Sequence, residues 1–211
     1  MFLFHFSNTH GVVRLTAKSQ EIIFTDQRRK TKFSIPDKIP LLQRVQTIKI
    51  LGVTFTSSLS VTLHAQSVIA ACAQTLYALR VLRKHGLCDD SLHDIFRAVA
   101  VAELMYASNA WWGFSNANDR QKIFAFIRRC IRTGFCSPDL ADFHDLYISS
   151  DEKLFNKILT CPNHILRTLL PPPTAQNYSL RNRPHNRQLT DRISRITDCN
   201  FTVRMLYRNM Y

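Results

Sequence analysis

The sequence predicts a mainly α protein with a small N-terminal β element, an α+β chain in which a short hairpin precedes a helical bundle. Three observations carry this. The chain has 211 residues but only 5 glycines, against roughly 7% in an average protein, or about 15 at this length. Open β-sandwiches and doubly wound nucleotide-binding folds are built on many glycine turns, so both are disfavoured. Hydrophobic residues make up 45% and charged residues 20% of the chain, which is enough to bury a core and argues against wholesale disorder. Finally, the spacing of apolar residues changes from strand-like to helical near Ser60.

The elements follow in order. Glu21-Ile22-Ile23-Phe24 is a short apolar run between Lys18-Ser19 and the charged stretch 26–32, and it reads as a strand. Residues 33–44 contain Pro36 and Pro40 and read as a loop. Val45 to Phe55 is β-branched and apolar and reads as a second strand, with Gly52 marking a bulge or close backbone approach. Val68, Ile69, Cys72, Leu76, Leu79 and Leu82 recur at helical steps, so a long helix is expected over 61–85, with Ser60 as N-cap and Gly86 at its end.

A second helix opens at the cap pair Asp89-Asp90 and runs to about Ala107, burying Leu92, Ile95, Phe96, Val99 and Ala102. A third follows Asn118, with Ile123, Phe126, Ile127, Cys130 and Ile131 on its apolar face, basic residues on the other side, and Gly134 at its end. Two shorter helices are expected over 139–148 and 151–160. Pro171-Pro172-Pro173 reads as a stiff extended linker to a tail, 174–211, that holds seven arginines and no lysine.

Charge bounds the function. Lys and Arg total 28 against 15 Asp and Glu, a net charge of +13. A surplus of this size suits a polyanionic partner, nucleic acid before a membrane surface. No apolar run approaches the roughly 18 residues of a membrane span. The apolar start, Met1 to Phe6, lacks a basic flank and is broken by His5 and by Ser7-Asn8-Thr9-His10, so no signal peptide is expected. An intracellular location follows, nucleus or cytoplasm, with the six cysteines reduced. Cys130, Cys136, Cys161 and His164 include a Cys-x-x-His pair, but the Cys130–Cys136 gap is wide for zinc and Cys130 sits in an apolar stripe, so no metal site is expected. Trp111 and Trp112 read as core or joint residues before base-stacking ones.

Several motifs, in order, resemble one family. Leu15-Thr16-Ala17-Lys18-Ser19 followed by the apolar run to Phe24 is similar to the end of the palm in reverse transcriptases of non-LTR (LINE-like) retrotransposons. Ile48-Lys49-Ile50-Leu51-Gly52-Val53 resembles the next palm motif, the strand turn called the primer grip. Leu59-Ser60 with His64, Leu76-Tyr77-Ala78-Leu79-Arg80, Tyr106-Ala107-Ser108 with Trp111-Trp112, and Arg128-Arg129-Cys130-Ile131-Arg132 resemble the helical steps that come after it. The resemblance covers residues 7–200. It implies a palm remnant over 1–57 with primer-grip-like Leu51 and Gly52, a thumb-like helical domain over 58–170, and a Pro-linked basic tail over 171–211. It also makes Lys18 the counterpart of the family lysine near the leaving pyrophosphate.

The parent family polymerises DNA on an RNA template with two Mg²⁺ ions held by palm aspartates about 4 Å apart. Asp89-Asp90 is the only adjacent pair here, and it opens a helix after Gly86-Leu87-Cys88. The catalytic hairpin is therefore expected to lie upstream of this sequence. No catalytic residue and no cofactor are expected in the chain, Mg²⁺ belonging to the full-length parent enzyme, and the chain alone is expected to be inactive. What remains is binding of RNA or an RNA–DNA hybrid through Arg128, Arg129 and Arg132 of the third helix and Arg181, Arg183 and Arg187 of the tail. In the tail, Tyr178, His185, Phe201 and Tyr207 would add stacking on unpaired bases. The rival reading is a stand-alone basic helical nucleic-acid-binding or interaction protein.

Overall fold

The computed structural model describes residues 19–25, 34–140, 142–174, 184–192 and 194–209. They are mostly helical, with a small β part near the N-terminus, as the composition and periodicity predict. The chain divides into two compact units, 1–67 and 68–211. Val61, His64 and Ala65, at the start of the first helix, are buried.

In the first unit, β1 (Gln20–Glu21) pairs in parallel with β2 (Gln43–Arg44). The pairing is fixed by a side-chain fork: the Arg44 guanidinium donates to both Glu21 carboxylate oxygens at 2.9 and 3.0 Å. The strand expected over 21–24 is thus confined to its first residue and the one before it. The expected strand over 45–55 is instead a hairpin, β3 (Thr47–Ile50) against β4 (Val53–Thr56), with Ile50 opposite Val53. Gly52 makes a turn, not a bulge. Both loop residues have positive φ, Leu51 at 46° and Gly52 at 87°, which is what a two-residue hairpin loop needs to match the strand twist. Glycine adopts this freely, but leucine does not.

In the chain order that follows, α1 (Thr62–Lys84) is the long helix expected, ending at Gly86 with φ of 90°. α2 (Asp89–Ile95) continues through a π-helical turn, Phe96–Val101, into α3 (Ala102–Met105). Its N-cap is Cys88, so Asp89 and Asp90 lie in the first turn, where they complement the helix dipole. A π-turn widens the hydrogen-bond ladder, and the Cys72 thiol donates to the Ala100 carbonyl within it at 3.5 Å. Ala107, at φ 49°, turns the chain into α4 (Ser108–Trp111) and a 3₁₀ turn, Trp112–Phe114.

α5 (Ala117–Arg132) starts two residues earlier than expected. Asn116 accepts from the Asp119 N–H at 2.8 Å and the Asp119 carboxylate accepts from the Asn116 N–H, a complete capping box. α6 (Phe143–Thr160) is one helix where two were expected. Phe143, Tyr147, Asp151, Phe155 and Ile158 form an unbroken buried stripe, and the Ser150 hydroxyl donates to the Asn109 side-chain Oδ1 at 3.4 Å. The Ser149-Ser150-Asp151 stretch looks like a breaker only if Asp151 is assumed to be exposed.

The tail is not a detached arm. After a 3₁₀ turn, Ile165–Leu169, the chain passes Pro171–Pro173 and returns through α7 (Arg195–Cys199) and α8 (Phe201–Tyr207). Met205 and Leu206 of α8 are buried with Phe155 of α6, and Leu159, Leu170, Phe201 and Tyr207 pack around them. Pro173 bridges to Arg187, so the proline run lines the return path of the tail. Gly113 lies against the returning tail: a Cβ there would collide with the Cys199 carbonyl oxygen. Among the described residues, no helix is long and apolar enough to cross a membrane.

Candidate nucleic-acid interface

The α5 helix has two chemical sides. Ile123, Phe126, Ile127 and Cys130 are buried. Lys122, Arg128, Arg129 and Arg132 are exposed, and none of their four side chains has a hydrogen-bond or ion-pair partner among the described residues. Arg129 and Arg132 also sit in the last turn, where cations complement the helix dipole.

Other arginines are committed to the fold. Arg83 of α1 donates to the carbonyls of Thr133, at 2.9 Å, and Gly134, which closes the C-terminal end of α5. Its guanidinium also lies 3.8 Å from the centre of the Phe135 ring and pairs with Asp89 at 3.2 Å. Arg120 donates to Ser115 Oγ at 2.9 Å and stacks over Trp112.

The tail arginines divide sharply. Arg204 is built into a polar cluster: Nη1 donates to Asp151 Oδ2 at 2.7 Å, Nη2 to the Asn109 carbonyl at 3.3 Å, and Nε to the Cys199 carbonyl at 3.2 Å. Asn109 Nδ2 donates to the other Asp151 oxygen at 2.6 Å. Burial pushes the Asp151 carboxyl up to about 6, against the pull of Asn109 and Arg208. Arg208 pairs with Glu152, and Arg192 pairs with Asp198 and covers the Tyr207 ring. Arg187, where phosphate contact is expected, is half-buried and donates through Nη1 to the Pro171 carbonyl at 3.2 Å, a contact between the tail and the proline run. Arg181 and Arg183 lie outside the described residues, as does Lys18.

The tail aromatics are also engaged. His185 is buried, accepts the Arg187 N–H at Nδ1 and lies 2.9 Å from the Leu206 carbonyl through Nε2. Phe201 packs in the α6–α8 core, and the Tyr207 hydroxyl donates to the Thr190 carbonyl at 2.6 Å. Tyr178 lies outside the described residues. Trp111 and Trp112 are both fully buried. Periodicity offered no signal for the exposed aromatic that the structure does place on a helix surface, Tyr77 of α1, which is 68% exposed.

Leu51 and Gly52 sit at the hairpin tip, with Leu51 85% exposed. Of Cys130, Cys136, Cys161 and His164, the first two are buried, Cys161 is half-buried, and His164 Nδ1 accepts the Leu166 N–H at 3.2 Å as a cap. Among the described residues, no group of three His, Cys, Asp or Glu is placed to hold a metal ion.

Burial pushes the Cys72 and Cys130 thiols up to about 12 and raises Cys136 as well. The exposed Cys88 thiol is lowered by its hydrogen bond to Ser91. Because the thiolate is the nucleophile, iodoacetamide is expected to modify Cys88 first and to leave Cys72, Cys130 and Cys136 untouched until the chain unfolds. Peptide mass spectrometry over a time course checks this, and native labelling of Cys130 as fast as Cys88 would contradict the burial described.

No family model, curated protein or solved structure matches the chain.

Proposed function

We propose that the chain is part of a non-LTR retrotransposon reverse transcriptase that lacks the catalytic aspartates, and that its remaining activity is sequence-tolerant binding of RNA or an RNA–DNA hybrid. The ordered motifs from Leu15 to Arg132 support the family origin. The binding reading rests on one observation: Arg128, Arg129 and Arg132 stand exposed on α5 with no side-chain partner among the described residues, while Arg83, Arg120, Arg192, Arg204 and Arg208 are spent on internal contacts. A net charge of +13 adds a favourable field.

Phosphate contacts carry no base information, so affinity is expected to depend on salt far more than on sequence. With about four to six phosphates neutralised, the log–log salt slope on single-stranded RNA is near −3 to −4. Replacing Arg128, Arg129 and Arg132 together by Gln should flatten that slope by about 2. Filter binding at two salt concentrations measures both. An unchanged triple variant, or a wild type with no salt slope, rules this reading out.

A further inference from the structure

We infer that the exposed flank of α1 bearing Tyr77, Arg80 and Lys84 forms one surface with the basic side of α5, and that this surface takes single-stranded nucleic acid with Tyr77 as its stacking platform. The inference rests on the nucleic-acid reading above and narrows it to one class of strand.

The two helices meet at their C-terminal ends. Arg83, in the last turn of α1, donates to the Thr133 and Gly134 carbonyls that follow α5. Arg80 lies one turn before Arg83 and Arg129 one turn before Thr133, so both stand next to the joint that Arg83 makes. On α1, residues 77, 80 and 84 follow i, i+3, i+7 spacing and share a face. All three are exposed.

The field of this surface is uncancelled from within. α1 contains no Asp or Glu over Thr62–Lys84. α5 contains one, Asp119, which is buried in the capping box at the far end. Asp89, at the start of α2, is paired to Arg83. Among the described residues, the side chains of Arg80, Lys84, Arg129 and Arg132 pair with no carboxylate, so their charge is open to the phosphates of a ligand.

Tyr77 decides the class of ligand. Its ring is 68% exposed and its hydroxyl makes no hydrogen bond among the described residues. An aromatic ring one turn from a cation on an open helix face offers a base a π surface and its backbone a phosphate partner beside it. A duplex hides its base faces inside the stack, so it would use the cations but not the ring. An unpaired strand uses both. The bland alternative is a single surface tyrosine, which is common and needs no ligand, with cations that serve only the helix dipole.

The test uses the full chain and three probes of mixed sequence about 15 nucleotides long: single-stranded RNA, single-stranded DNA and an RNA duplex. The expected results are tighter binding of both single strands than of the duplex, and a loss of about 5- to 100-fold for Tyr77→Ala on the single strands only. Its salt slope should stay unchanged. Tyr77→Phe should bind as wild type. Arg80→Gln with Lys84→Gln should flatten the slope by about 1.4 on single strands. Thermal melts of each variant check that the fold is intact, and all three positions are on the surface. If Tyr77→Ala binds single strands as wild type does, or if duplex is preferred, the inference is wrong, while the α5 reading stands or falls on its own triple variant. A DNA arm without binding would restrict the ligand to RNA.

Discussion

Replacing Arg204 by Ala is expected to destabilise the chain by about 3–5 kcal/mol, because it strands the Asp151 carboxylate in the interior. Asp151 is 1% exposed. In the wild type it receives Arg204 at 2.7 Å and Asn109 at 2.6 Å. Without the guanidinium only the amide remains. The loss should depend on pH. The folded carboxyl already lies near 6, above its ordinary value of 3.8, because burial favours the protonated form, and removing the cation moves it further up. The folded variant then holds a proton that its unfolded chain releases, so its stability rises as pH falls. The deficit measured by urea denaturation should therefore be clearly smaller near pH 5 than near pH 8. Changing both partners, Arg204→Met with Asp151→Leu, should cost much less than either change alone, since a buried pair contributes little over apolar residues of similar volume. A deficit that is small and flat with pH would mean that the tail does not depend on this pair.

Trp112→Ala should cost about as much, roughly 3–5 kcal/mol, through loss of a fully buried ring and the cavity it leaves. Trp112 joins elements distant in sequence. Its ring lies 5.3 Å from Phe143 and 5.0 Å from Tyr147 of α6, 6.2 Å from Phe124 of α5 and 5.8 Å from Trp111. Arg120 lies over the same ring at 5.2 Å. Trp112→Phe should recover more than half of the loss, because it keeps an aromatic edge for Phe143 and Tyr147. A melting temperature unchanged by Trp112→Ala would show that α5 and α6 are not joined here. Since neither substitution touches the exposed side of α5, nucleic-acid binding by the remaining folded protein should keep its salt slope.

Much of the helical frame was legible in the residues alone. The apolar steps from Val68 to Leu79 and from Ile123 to Cys130 mark faces that are buried, and Gly86 and Gly134 end their helices at φ of 90° and 71°. The same 3.6-residue period shows which side of α5 is basic, because a helix face is a local property. Ends and breaks were read less well. Asn118 and the Ser149-Ser150 pair resemble boundaries, yet the cap is Asn116 and α6 runs through both serines.

The residues alone specify the class of fold, the course of α1 and α5, and a basic side on α5. Only the tertiary structure decided which arginines are taken up by internal contacts. Arg204 meets Asp151 across 53 positions and Asn109 across 95, and no periodicity within one helix encodes a partner that far away. The same holds for the aromatic residues: composition counts Trp112, Tyr207 and Tyr77 alike, but packing buries the first, bonds the second and leaves the third exposed. Charge and ring are properties of a residue, whereas their availability to a ligand depends on what the rest of the chain has already placed against them.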